Sequence, residues 1–508
     1  MPAWLTRIVI GLAALVVIDS LRFADPDLFV TLYAGRDIAA HHRPPEVDTA
    51  SFSVAGQPWN DYEWLARWTA YETASRFGDR GLVIARLGVV AVILATILCA
   101  SATAGGGPVS LALAVTLLVL TAGSYLLFRP TLVTFAAVML LFAAVERWRC
   151  GERWPMWLIL CAIPVWTNLH AGFALGIVLL AILVATGIVD AWLPSARGTF
   201  APALPWRQSV PCFAAAAALT GLHPMGYRVW SAVIGTLGGR FTPSLSEWRP
   251  LHEFGARASV PVYALMLVLL GALLAGHRRV TLFETASAVV LGVAAIVRVR
   301  FVPLFSLCAV LVVVRALPAI AQTAAGRRVT KAFDRVPRAV APALACVVLA
   351  AVVATLGVFD LRIRKVPYLT PVPATKFLLA SGIDGRVFTE YDWGGYVHWK
   401  IPTASIFVDG RSDTVYPLPV IEDWARVVNA GEGWSGILDR YRAQVVVLRR
   451  DQPVVPLLER EPGWVPAYAD PFASVFVRDD ADHAAFIAAL RAGRVSAPLV
   501  VDDDYLGL

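Results

Sequence analysis

The sequence predicts a polytopic α-helical membrane protein of about eleven transmembrane helices, carrying a C-terminal α/β domain outside the membrane. Three observations carry that prediction. Of 508 residues, 58% are hydrophobic and 16% charged, and mean hydropathy is +0.65, whereas a soluble domain averages about 45–50% apolar and 25% charged. Apolar runs close to the ~20 residues that cross a bilayer recur along the first 360 positions. Beyond 360 the runs shorten to strand length and alternate with helical patterns.

The spans fall near 5–22, 82–101, 109–128, 131–147, 155–168, 171–192, 210–223, 259–276, 280–297, 301–319 and 339–359. Alternate connections are basic: Arg147-Trp148-Arg149 with Arg153, His277-Arg278-Arg279, and the stretch 327–338 with Lys331 and Arg335. The positive-inside bias places all three in the cytoplasm together with the N-terminus. The 23–80 loop, the 223–258 connection and everything after 360 then face outward, as expected of an inner (plasma) membrane protein with a periplasmic or extracellular tail. The first span lacks a small-residue cleavage site and reads as a retained helix. The net charge of +7 is no nucleic-acid footprint, because the basic residues sit in short loops between apolar runs. The six cysteines lie in or beside spans and propose no disulfide framework. The chain therefore divides into a membrane domain, 1–359, which includes loop 23–80, and an α/β domain, 360–508, long enough to bury its own core. In that tail, 386–390, 405–408, 445–448 and 473–477 read as strands, and 418–429 and 434–442 as helices.

The outward loop opens with Asp25-Pro26-Asp27. Apolar positions at helical spacing follow over 28–40, ended by Pro44-Pro45, and a second amphipathic stretch covers 62–77. Trp59, Trp64 and Trp68 suit the headgroup level. Two readings of the acids stand side by side. Asp25 or Asp27 caps the first helix, or one of them takes a proton from a substrate held at the mouth of the bundle.

Cations collect near the outer ends of spans: Arg129, His170, His223, Arg298 and Arg300. Each either snorkels to the interface or marks a function, since ionisable groups at membrane depth are costly. As a group they suit an anionic lipid phosphate, and the arginines suit it best because of their bidentate fork. Glu247-Trp248-Arg249 offers a further wall to that mouth. In the tail, Tyr391-Asp392-Trp393-Gly394-Gly395 and Asp409-Gly410-Arg411 follow strands. Acid plus glycine there either makes a turn or lets a ligand approach the backbone.

The 23–80 loop resembles the first extracytoplasmic loop of the GT-C glycosyltransferases, in the aminoarabinose and protein-mannosyl branches. Asp27 falls at the position of the family's catalytic aspartate. Gly56-Gln57-Pro58-Trp59-Asn60-Asp61 falls on the family's later Gly-x-Pro-aromatic-x-Glu element, with Glu63 close by. Leu28 and Tyr62 depart from the expected Glu and Lys. Asp392 and Gly394 resemble part of the Trp-Trp-Asp-Tyr-Gly region of oligosaccharyltransferases, another GT-C branch. The resemblance implies transfer of a sugar from a polyprenyl-phosphate-linked donor to an envelope glycan, lipid or protein at the outer face. It implies Asp27 as catalytic base, and Asp25, Asp61 and Glu63 as groups that orient the acceptor or hold a divalent cation such as Mg or Mn, with the metal itself unknown. With that activity, Arg129, His170, His223, Arg298 and Arg300 are expected on the donor phosphate from their position at the outer mouth, and Asp392, Gly394, Asp409 and Arg411 on the acceptor side from their place at strand ends. The alternative is a non-catalytic transporter, lipid-handling or envelope assembly protein of the same fold.

Overall fold

The computed structural model describes residues 3–20, 24–193, 199–237, 246–320, 363, 366 and 368–495. The span expected at 339–359, the basic stretch 327–338 and Cys346 lie outside them. Contacts divide the chain into two units. One takes Met1–Arg22, Val83–Val233 and Pro243–Leu361, and the other takes Phe23–Leu82, Ile234–Thr242 and Arg362–Leu508. The sequence grouped loop 23–80 with the membrane helices, whereas its contacts group it with the tail.

In the first unit, a helix stands at every other expected span position. Among the described residues, five helices are long and apolar enough to cross a membrane: Trp64–Thr103, Thr131–Arg149, Phe173–Trp192, Ala256–Arg279 and Val299–Ala316. Shorter apolar helices cover Ser110–Tyr125, Trp154–Leu169 and Leu282–Val297. The helix Trp64–Thr103 is two helices joined at Gly78, whose φ of 58° is the left-handed conformation that glycine adopts without penalty. The amphipathic stretch read from the sequence ends there and the apolar span begins. Leu282–Val297 starts with a capping box, in which Thr281 and Glu284 bond each other's backbone amides.

Buried charge in this unit is paired, as a low-dielectric interior demands. Arg86 is 3% exposed. It donates to the Leu126 carbonyl at 2.6 Å and the Ile18 carbonyl at 2.8 Å, and faces Asp19 at 3.5 Å. It thereby satisfies carbonyls that helix ends leave open. Elsewhere Glu146 accepts from Arg149 at 2.7 and 3.0 Å and from Arg315 at 3.0 Å, and Arg315 also binds Glu284. Three helices are tied together by that cluster.

The second unit is built on a five-stranded sheet of order β2-β1-β3-β5-β4, with β1 Arg386–Thr389, β2 Ser405–Ile406, β3 Val445–Arg449, β4 Trp464–Ala469 and β5 Ala473–Arg478. β1 pairs parallel to β2 and β3, whereas β5 runs antiparallel to β3 and β4. Val445 to Leu448 are all buried, the pattern of a strand covered on both faces. Phe377, Val387, Trp393, Val397, Ile406 and Val475 form part of the core. The sheet then continues onto the loop: Ile406 N–H donates to Ala50 O at 2.9 Å, and Phe52 N–H donates to Ile406 O at 3.0 Å. The helix Pro26–His41 ends at a left-handed His42, before the prolines.

Candidate functional site

Asp25 is the N-cap of Pro26–His41, accepting the Asp27 amide at 3.0 Å. Pro26 needs no amide partner at the first helical position. Asp27 therefore sits in the first turn, half-buried, near the positive end of the helix dipole. Its Oδ1 lies so close to Gly410 that a Cβ on that glycine would come within 2.6 Å of it. Asp27 also lies within electrostatic reach of Tyr391, whose phenol burial pushes far above its ordinary range. Tyr391 and Ser412 share a hydroxyl–hydroxyl hydrogen bond. The structure thus brings Asp27 beside the loops that follow β1 and β2.

Those loops are held by a fully buried clasp. Arg411 Nε donates to both oxygens of Asp409 at 2.9 and 3.1 Å, and Nη1 binds Asp48. Nη2 donates to Ser51 Oγ at 2.6 Å and to Tyr416 Oη at 2.8 Å. Tyr33 Oη donates to Asp409 at 2.5 Å. Trp59 covers the guanidinium at 4.8 Å. The side chains of Arg411, Asp48 and Asp409 have 0% exposure. Burial alone would raise the Asp409 carboxyl, but the Arg411 charge and the Tyr33 hydroxyl hold it below the usual carboxylate range.

Several expected site residues have structural partners here. Asp409 and Arg411 spend their polar atoms inside the clasp. Gly394 is buried, and a Cβ there would come within 2.1 Å of Val408 O. It serves the close packing of helix Gly394–Lys400 on the β2 loop. Of the four acceptor-side residues, Asp392 alone is partly exposed. Asp61 is 4% exposed and lies 3.0 Å from Arg67, which also faces Glu63 at 3.6 Å. These two acids hold the start of helix Trp64–Thr103 and do not converge with Asp27 on a cation. Among the described residues, no group of three or more His, Cys, Asp or Glu side chains is gathered to hold a metal. Trp59, expected at the headgroups, is 4% exposed.

In the first unit the expected arginines do converge. Arg129 Nη1 lies 3.2 Å from Glu247 Oε2, and Arg300 Nη1 lies 3.7 Å from Glu247 Oε1. Arg300, at 3.9 Å, and Arg298, at 5.0 Å, both lie over the Trp248 ring. Arg298 Nη1 donates to Trp248 O at 3.3 Å, and Val299 N–H donates to Arg249 O at 3.0 Å. His170 is within electrostatic reach of Arg300, but its Nδ1 accepts the Gly172 amide at 2.9 Å. The Nδ1 of His223 likewise accepts the Met225 amide at 3.1 Å. Both Nδ1 atoms are thus engaged by the local turn. The sequence did not signal Tyr125, which lies in electrostatic reach of Glu247 and Arg129, nor the clasp partners Tyr33, Asp48, Ser51 and Tyr416.

No protein-family model matches the sequence, and no curated protein matches it either. Solved structures do. Archaeoglobus fulgidus oligosaccharyltransferase AglB, in complex with an inhibitory peptide and dolichol phosphate, superposes with a TM-score of 0.55 at 12% identity, over 94% of this chain and 74% of that one. The A. fulgidus oligosaccharyltransferase tethered to an acceptor peptide gives 0.53 at 12% identity, over the same shares. ArnT from Cupriavidus metallidurans, bound to undecaprenyl phosphate, gives 0.52 at 13% identity, over 93% of this chain and 97% of that one. At such identity the likeness speaks for architecture alone, and it runs nearly end to end: the chain shares the fold of these oligosaccharyltransferase and ArnT structures.

Proposed function

We propose that the protein is a membrane glycosyltransferase that moves a sugar from a polyprenyl-phosphate-linked donor to an acceptor at the outer face of the membrane. The observation that carries this reading is the convergence of Arg129, Arg298 and Arg300 on one partly exposed site. Solved proteins of this fold hold dolichol phosphate and undecaprenyl phosphate. Arginines are suited to a departing phosphate because their donors match its oxygens in pairs.

In this mechanism Asp27 takes the proton of the acceptor hydroxyl. Its carboxylate stands in the first turn of the helix, and Gly410 leaves it room against the main chain. The acceptor oxygen attacks the anomeric carbon and the bond to phosphate breaks, leaving a phosphate monoester of the kind that arginines bind. Asp392, beside Tyr391, is the remaining candidate for acceptor contact. Asp61 and Glu63 face Arg67. The basic-loop bias supports a cytoplasmic N-terminus and an extracytoplasmic second unit, in the plasma (inner) membrane.

The test is binding of undecaprenyl phosphate by detergent-solubilised protein. An Arg298→Gln/Arg300→Gln double variant should lose affinity while its melting temperature holds. Unchanged affinity would mean that the arginines only snorkel. A second reading, carrier-lipid binding without transfer, is favoured by the commitment of Asp61 and Glu63 to structure. It predicts the same binding loss but no effect of Asp27→Asn on the cell's envelope glycans.

A further inference from the structure

Glu247 stands where an anion between Arg129 and Arg300 would stand. Its two carboxylate oxygens face the two guanidiniums separately, Oε2 at 3.2 Å and Oε1 at 3.7 Å. The chain just after it is held by Arg298, which donates to Trp248 O, and by Val299 N–H on Arg249 O. The site is nonetheless open, since the side chains of Arg129, Arg300 and Glu247 are 31%, 27% and 39% exposed. Ion pairs at such exposure contribute little, about 0–1 kcal/mol, so another anion can exchange for the carboxylate at low cost.

We infer that Glu247 is a built-in competitor for the phosphate, and that it makes the arginine site selective for a phosphate monoester over a diester. The inference rests on the donor-phosphate reading of this site and adds what kind of phosphate it prefers. Two guanidiniums, Arg129 and Arg300, face one carboxylate. Exchanging that carboxylate for a phosphodiester, which carries one negative charge, leaves the electrostatic balance unchanged. Exchanging it for a monoester, whose second ionisation is near pH 6, adds one negative charge to a site with an excess of cations. A donor is a diester and the released carrier is a monoester. The site therefore favours the charge that appears as the sugar–phosphate bond breaks, which is the differential binding that accelerates a step.

The experiment uses the full chain in detergent at pH 8, with undecaprenyl phosphate as monoester, undecaprenyl methyl phosphate as diester and undecaprenol as neutral control. Wild type should bind the monoester more tightly than the diester, by roughly threefold to fivefold as one exposed charge contact allows. Glu247→Gln should tighten both phosphates by a similar factor and leave undecaprenol unchanged. Glu247→Ala serves as the second variant, and melting temperatures check the fold. Equal or weaker phosphate binding by the folded Glu247 variants, with binding still lost in Arg298→Gln/Arg300→Gln, would overturn the competitor and leave the phosphate site standing. Equal wild-type affinity for monoester and diester would overturn the selectivity. Wild-type affinity in the arginine variant would overturn the site itself.

Discussion

Arg411→Met should be among the most destabilising single changes in the second unit. The guanidinium has 0% exposure, as do the two carboxylates it binds, Asp48 and Asp409. Removing it strands both acids and takes a hydrogen-bond partner from Ser51 and Tyr416. Breaking a buried pair by deleting one partner costs about 3–5 kcal/mol, because a charge is left uncompensated. A unit of roughly 200 residues melts about 2–4 °C lower per kcal/mol, so the expected drop is about 6–20 °C. Tryptophan emission is a suitable assay, since Trp59 is 4% exposed and stacks on this guanidinium at 4.8 Å. Adding Asp48→Leu and Asp409→Leu to Arg411→Met should recover part of the loss, because no buried charge then lacks its partner. A drop below about 2 °C for Arg411→Met, which corresponds to under ~1 kcal/mol, would refute the reasoning. The clasp would then not be what joins the loop to the sheet.

Two further outcomes follow from the same structure. Burial holds His398 below its ordinary pKa, its Nδ1–H donates to Ala404 O at 2.8 Å, and its ring stands edge-on to Tyr33 at 4.8 Å. The unfolded chain binds that proton more readily, so the stability His398 contributes is present above about pH 6.5 and is lost as pH falls below it. Thermal melts across pH 5 to 8 should show this slope in wild type and a shallower one in His398→Phe; identical slopes would remove His398 as the cause. Glu432 is exposed in the second unit, so Glu432→Cys in intact cells should react with a membrane-impermeant maleimide. Protection until the cells are permeabilised would reverse the orientation.

The sequence made some of this legible and not the rest, for physical reasons. Span positions are strong signals because burial in lipid demands long apolar runs, and the described helices fall where those runs are. The arginine trio was legible because cations at span ends are costly enough to stand out. β3 and β5 were legible as apolar β-branched runs. β4 was not, since Pro466 argues against a strand; it lies at the sheet edge, next to a bulge between Pro466 and Tyr468, where proline is tolerated. The clasp was out of reach because Asp48 and Arg411 lie 363 residues apart. An acid-glycine-arginine turn after a strand looks the same whether it opens a ligand site or closes on another segment. Asp25 and Asp27 were separable only by geometry, since Pro26 lets either sit at the helix start. That the Nδ1 of His170 and of His223 meets a backbone amide depends on turn geometry that residue spacing does not specify.

Asp27 is proposed as the general base of a polyprenyl-phosphate-dependent transfer. Its most direct test is release of label from a panel of radiolabelled undecaprenyl-phosphate sugars onto isolated envelope material, by wild type, Asp25→Asn and Asp27→Asn in proteoliposomes. The account predicts wild-type transfer from at least one donor and a fall of about 10²–10⁴ in Asp27→Asn, the usual cost of losing a positioned base. Asp25→Asn should lose less, because asparagine caps a helix as well as aspartate. Transfer by Asp27→Asn at the wild-type rate, or no transfer by wild type from any donor, would contradict the account.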